Sequence, residues 1–140
     1  MVRKSLLLLA CLTLISGCEL FFLPSHTNPF DPAYADEDGY LLTATKSPGR
    51  LTLSWSAFQG SGFDSYIVIW SRVRQDIRAV VLKPDGSITN STVFPLAVLT
   101  AESDTDLVVT TGFPETRHYA VIYQDSAGNR QASNIVTYEP

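Results

Sequence analysis

The stretch Tyr66-Ile67-Val68-Ile69-Trp70 constrains the fold more than any other feature of this chain. A strand sends successive side chains to opposite faces. A strand that is apolar at every position therefore needs cover on both faces, which places the run Phe63 to Arg72 at the centre of a sheet. Around it the apolar pattern has period two. Leu51, Leu53 and Trp55 point one way, and Thr52, Ser54 and Ser56 the other. Turn residues punctuate the runs: Gln59-Gly60-Ser61-Gly62, Lys83-Pro84-Asp85-Gly86 and Asp125-Ser126-Ala127-Gly128-Asn129. Further strands are expected over Asp76 to Leu82, Asp106 to Thr111, Tyr119 to Gln124 and Ile135 to Tyr138. Ser87 to Thr100 reads as either a strand or a loop, and Pro95 limits it to an edge if it is a strand. No ten-residue stretch has a helical period. About seven short strands with turns every 8–12 residues predict an all-β sandwich of antiparallel strands.

Length and composition narrow the function. The 140 residues suffice for one domain, and 45% hydrophobic with 17% charged residues is not a disordered polyelectrolyte. A net charge of −4 argues against a nucleic-acid binder, which needs a clustered basic face. Two cysteines, Cys11 and Cys18, supply neither a disulfide scaffold nor a four-ligand zinc site.

The N-terminus reads as an address. Arg3 and Lys4 precede the apolar segment Leu6 to Ile15, which is too short to span a bilayer. Ser16 and Gly17 are the small residues a signal peptidase needs, and Cys18 follows. Ile15-Ser16-Gly17-Cys18 resembles the lipobox of bacterial lipoproteins. The resemblance implies cleavage between Gly17 and Cys18 and attachment of lipid, palmitate among the acyl chains, at Cys18. Two or three chains there would hold the protein at a membrane, where a single one binds only marginally. It also implies a bacterial cell-envelope location. Glu19, in place of the Asp that retains some lipoproteins at an inner membrane, leans this toward the outer membrane or cell surface.

The expected organisation is a signal peptide over residues 1–17, a lipidated tether over 18–40, and a β-sandwich over 41–140. The tether carries Glu19, Asp31, Asp36, Glu37 and Asp38, no Lys or Arg, and prolines at 24, 29 and 32, so an extended spacer is expected. Its Asn28-Pro29-Phe30-Asp31-Pro32 resembles segments that follow the lipidated cysteine of some surface lipoproteins. Asp36-Glu37-Asp38-Gly39 invites a calcium reading. Aligned on Gly39, however, an EF-hand loop would begin at Tyr34 and end at Thr45, so both anchors fail and a solvated acidic linker fits better.

Residues 49–139 resemble a fibronectin type III domain. Gly49-Arg50-Leu51-Thr52-Leu53-Ser54-Trp55 is similar to the family's second strand, Phe63, Tyr66, Val68 and Trp70 match the inward positions of its third, and Gly112 to Val121 resembles its corner segment ending in Tyr-x-Val. The resemblance implies a core containing Trp55, Tyr66, Trp70 and Tyr119, with the Tyr119 hydroxyl bonded to backbone upstream. Pro114 falls one residue early for the family, and 83–105 is longer than usual.

No catalytic constellation emerges. His26 and His118 have no partner motif, and there is no nucleophile elbow, phosphate loop or metal-spaced His/Cys set. No enzyme activity, cofactor, metal or small-molecule substrate is expected. Arg72, Arg74 and Arg78 form a basic cluster on or beside one strand. They are either a solvated guard against strand addition or a contact for an acidic partner or glycan. Asn90-Ser91-Thr92 matches a glycosylation sequon, which a bacterial lipoprotein rarely uses. The leading function is a lipid-anchored module for protein interaction or structural spacing, whose partner is another envelope protein or an external ligand. The alternative is a carbohydrate-binding accessory lipoprotein, which exposed Trp or Tyr in a planar row would favour. Loops 125–130 and 83–105 are the expected contact regions. Because no disulfide supports the domain, Trp55→Ala is expected to cost about 3–5 kcal/mol. A urea midpoint close to wild type would show that Trp55 is not core.

Overall fold

The computed structural model describes residues 29–30 and 39–140. The proposed signal segment, Gly17, Cys18 and the acidic cluster at 36–38 lie outside the described residues. The described chain forms an antiparallel β-sandwich. One sheet has three strands in the order β1-β2-β5: β1 Leu42–Ser47, β2 Arg50–Trp55 and β5 Asp106–Thr110. The other has the order β4-β3-β6-β7, from β3 Phe63–Ser71, β4 Phe94–Leu99, β6 Arg117–Asp125 and β7 Arg130–Ala132, and β8 Val136–Tyr138 also pairs with β6.

The continuous apolar run takes the central place that its pattern requires. It lies in β3 between β4 and β6, with Val68 opposite Val121 and Trp70 opposite Tyr119. Alternate residues of β3 and β6 serve two separate cores. Tyr66, Val68, Tyr119, Val121 and Tyr123 face the three-stranded sheet, where they meet Leu51, Leu53 and Trp55. Ile67, Ile69, Ala120 and Ile122 face the other way, into a second cluster completed by Ile77, Val80, Leu82, Val93 and Ile135.

That second cover comes from the segment expected to be a strand. Residues Arg74–Arg78 instead form a short helix, α1, and no strand forms over Asp76 to Leu82 beyond an isolated bridge between Leu82 and Ile88. Ile77 and Val80 are three apart and both fully buried, a helical spacing too short to register as a period. Asp76 in the first turn and Arg78 in the last complement the helix dipole. Asn90 ties the segment together: its Oδ1 accepts from Val81 N at 2.7 Å and its Nδ2 donates to the Ala79 carbonyl at 3.0 Å. The turn at Lys83–Gly86 is pinned by buried Arg130, whose Nη2 donates to the Pro84 carbonyl at 3.1 Å. Part of the long 83–105 region is thus core cover. Its second half supplies β4, an edge strand that contains Pro95, as the sequence required.

The last strand is interrupted between β7 and β8, and side chains satisfy the backbone at the break. Ser133 Oγ accepts from Val121 N at 3.0 Å. Asn134 clamps β1 from both sides, accepting from Leu42 N at 2.6 Å and donating to Leu42 O at 3.0 Å. The glycine-rich turn also has a packing reason. Gly62 adopts φ +74°, its carbonyl accepts from Ser126 N at 2.6 Å, and a Cβ there would meet Ser126 Oγ.

Two expectations about the core change. The Tyr119 side chain is fully buried, but its hydroxyl finds no backbone acceptor and no hydrogen-bond partner. The corner bond implied by the family resemblance is not made. Tyr66 and Tyr123 make the equivalent long-range bonds instead, donating to Glu102 O at 2.9 Å and Ser56 O at 3.1 Å. Burial pushes the hydroxyl pKa of all three upward, so they stay neutral at physiological pH. Trp70 is half-buried and sits at the margin of the first core, not within it. Trp55 is buried with its indole N–H unpaired.

These hydroxyls separate by experiment. Tyr119→Phe removes an unsatisfied buried group and is expected to leave the urea midpoint unchanged or raised. Tyr123→Phe removes a made bond and is expected to cost about 1 kcal/mol. A comparable loss from Tyr119→Phe would restore the corner bond.

Candidate functional site

The most distinctive surface lies where β3 ends and β4 begins. Register places Trp70 opposite Phe94, and their rings stack at 4.9 Å between centroids and 27° between planes. From the start of β6, the Arg117 guanidinium carbon lies 4.1 Å from the Trp70 ring centroid and 3.5 Å from that of Phe113. Phe113, Arg117, Trp70 and Phe94 therefore form one ladder of alternating contacts. A cation so desolvated between two π faces is a stronger partner than an exposed one. Glu115 closes the ladder, accepting from Arg117 Nε at 3.1 Å and from its Nη2. The Arg117 bond holds the Glu115 carboxyl below the usual carboxylate range, against a smaller opposing push from burial.

Beside the ladder runs a groove of about 340 Å³ lined by Trp70, Ser71, Arg72, Asp76, Thr92 and Phe94. Arg72 reaches Glu115 at 3.6 Å but is well exposed, so this ion pair contributes little. A second depression of about 500 Å³, on the side of residue 39, is lined by Tyr40, Ser56, Gln59 and Gln131 among others. Among the described residues, its lining holds no carboxylate or imidazole.

The groove continues into β4, which among the described residues is a free edge of its sheet. Phe94, Leu96 and Val98 are 43%, 36% and 59% exposed, and Phe94–Leu99 contains no charged residue. Such an edge offers unpaired backbone groups together with apolar side chains. It is blunted at one end only. Pro95 lacks an N–H, and the register shifts between Val68 and Ile69, leaving Leu96 as the extra residue opposite β3. From Ala97 to Leu99 the strand is regular, with Val98 opposite Ile67.

The three arginines expected as a cluster beside one strand divide between two elements. Arg72 follows β3 and lines the groove. Arg74 and Arg78 sit one turn apart on α1, both exposed, and Arg74 Nη1 donates to Thr137 Oγ1 at 3.5 Å. Both project from the helix whose Ile77 is buried in the outer core. His118 is half-buried with Nδ1 2.9 Å from Thr137 Oγ1. Burial, with the nearby Arg74 charge, moves its pKa down. Among the described residues, no three His, Cys, Asp or Glu side chains gather as a metal site. Loop 125–130 is organised by Asp125, which accepts from the backbone of Ala127 and Asn129 at 2.9 Å each. β4 lies within 83–105, one of the two expected contact regions, but the sequence did not single out this strand within it. The unbroken apolar lettering of 93–99 was its available signal.

No protein-family model matches the chain, and no curated protein matches it. Among solved structures, pectate lyase Pel3 from Pectobacterium carotovorum superposes with a TM-score of 0.55 at 19% identity, covering 74% of this chain and 27% of that one. Pectate lyase PelI from Erwinia chrysanthemi gives 0.55 at 19% identity, with 73% and 28% covered. The chain thus spans little more than a quarter of those proteins, and the likeness is one of fold.

The Glu115–Arg117 bond predicts a pH dependence. A carboxylate whose folded pKa is depressed stabilises the fold above its ordinary pKa, and that contribution is lost as pH falls through the lowered value. The urea midpoint of wild type is expected to fall more steeply than that of Glu115→Gln between neutral and acid pH. Parallel curves would show that the ladder draws nothing from this charge.

Proposed function

We propose that this chain is a lipid-anchored bacterial envelope lipoprotein whose fibronectin type III-like sandwich is a non-catalytic interaction module, with the β4 edge as its binding surface. The edge itself carries the reading: an uncharged strand with three exposed large apolar side chains and a regular stretch of unpaired backbone. Monomeric surfaces rarely leave such a combination uncovered unless something binds it. A partner adding an extended segment along Ala97–Leu99 would gain backbone hydrogen bonds there and apolar contacts at Leu96 and Val98. The lipobox-like Ile15-Ser16-Gly17-Cys18 supports the anchor, and Glu19 an outward-facing location. The arrangement of three strands against five, with the last strand broken in two, is compatible with the family resemblance.

A glycan reading has one observation in its favour, the Trp70–Phe94 groove with Arg72 and Asp76 on its walls. The similar structures bear titles naming pectate lyases, one in complex with tetragalacturonic acid, which is compatible with a carbohydrate setting. Against it, Arg117 and Phe94 already stack on Trp70, and Phe94 is the most exposed aromatic ring among the described residues. No planar row of open Trp or Tyr exists there for a sugar chain. The edge reading is therefore preferred.

The test is site-specific photocrosslinking in intact cells. Probes at Leu96 and Val98 are expected to capture one protein, and a probe at exposed Thr45 on β1 none. Val98→Lys should weaken that capture about tenfold, the equivalent of about 1.4 kcal/mol. Cys18→Ala should release the chain from the membrane fraction. Equal capture from Thr45, or capture of glycan alone at 96 and 98, would overturn the edge reading. A Cys18→Ala variant that still sediments with membranes would overturn the anchor.

A further inference from the structure

The outer cluster is closed by more than the segment that follows β3. Pro29 is buried, and Phe30 packs half-buried against the cluster of Ile67, Ile69, Ile77, Leu82 and Ile122. More than thirty positions separate Phe30 from Ile67, so this is tertiary packing and not local chain geometry. The contact lies on the sheet face away from the three-stranded sheet. There it adds to the cover of the cluster that contains Ile67 and Ile69 of β3. Prolines at 29 and 32 flank the aromatic ring in sequence. A proline has fewer unfolded conformations to lose, so ordering this short segment costs less entropy than ordering an ordinary linker.

We propose that the outer face of the five-stranded sheet carries a binding site for a proline–aromatic segment, filled in this chain by its own Pro29–Phe30. The site works as a clip on the linker. Pro29 lies eleven positions after Cys18, and Tyr40 twenty-two positions after it. A chain spans at most about 3.3–3.6 Å per residue, so clipping cuts the greatest reach from an anchor at Cys18 from about 75 Å to about 40 Å. The consequence for reach rests on the lipid anchor proposed above. The binding site itself does not.

The test uses the mature chain from residue 18 with Cys18→Ser, which carries no lipid. Phe30→Ala is expected to move the methyl NMR resonances of Ile69 and Ile77 and to leave those of Leu53, in the other core, in place. A synthetic peptide covering residues 25–34, titrated into the Phe30→Ala chain, is expected to return Ile69 and Ile77 saturably toward their wild-type positions. The same peptide with alanine at position 30 should not. Unmoved Ile69 and Ile77 resonances in Phe30→Ala, or no return with the peptide at millimolar concentration, would overturn the site. The lipidated chain is then placed on phospholipid vesicles, with a donor dye at Lys46 and an acceptor in the bilayer. Phe30→Ala should lower energy transfer. Unchanged transfer overturns the clip's control of reach. A wild-type chain that does not associate with vesicles overturns the anchor while leaving the NMR result standing.

Discussion

The structure depends on a pair of strands that cannot face water on either side. β3 and β6 contribute Tyr66, Val68, Tyr119, Val121 and Tyr123 to one face and Ile67, Ile69, Ala120 and Ile122 to the other. An antiparallel sheet commonly solvates one face, and this one cannot. A second sheet alone therefore does not complete the fold. The three-stranded sheet covers the inner face, and the outer face would leave a broad apolar patch without further chain. The segment from Arg72 to Val93 supplies that chain through Ile77, Val80, Leu82 and Val93, with Phe30 at the margin.

The outer cover has little regular structure, so its backbone groups need other partners. Asn90 and Arg130 provide them, one bridging the strand-like ends of the segment and the other tying the Pro84 carbonyl to β6 and β7. The same logic governs the broken last strand, where Ser133 and Asn134 replace missing ladder bonds and Asn134 joins the two sheets. Polar side chains hold irregular backbone against an apolar surface at each of these places. Such satisfied networks at the edge of an apolar surface favour one arrangement where packing alone would allow several.

What the sequence reveals follows from how local each signal is. The centrality of β3 is legible because five adjacent residues state it. Pro95 alone places its strand at an edge. The helix over Arg74–Arg78 is not legible: five residues make too little of a period, and Val80-Val81-Leu82 reads as strand. The Tyr119 hydroxyl illustrates a different limit. A motif locates the ring correctly in the core, while the hydrogen bond depends on where backbone elsewhere happens to lie. Trp70 could be assigned to the core by spacing, but its cover at the core margin by Arg117 and Phe94 comes from other strands and is not written locally. The proposed binding edge was legible in part, since it lies within 83–105, an expected contact region, and Pro95 limits it to an edge. Apolar letters at 94, 96 and 98 look like core until topology shows that, among the described residues, no strand pairs beyond them.

An edge strand exposed in this way invites uncontrolled pairing, and the ladder beside it explains how the risk is contained. Phe94 is held by Trp70, Trp70 by Arg117, and Arg117 by Glu115, so the start of β4 is anchored through four side chains from three places in the sequence. At the other end, Leu99 pairs with Tyr66, whose hydroxyl is fixed to Glu102. The strand is thus pinned at both ends, and Pro95 with the register shift removes regular pairing from its first half. Only a short regular stretch is left open. A short open stretch limits promiscuous association while still offering a rigid template, because little further ordering is required of it when a partner arrives.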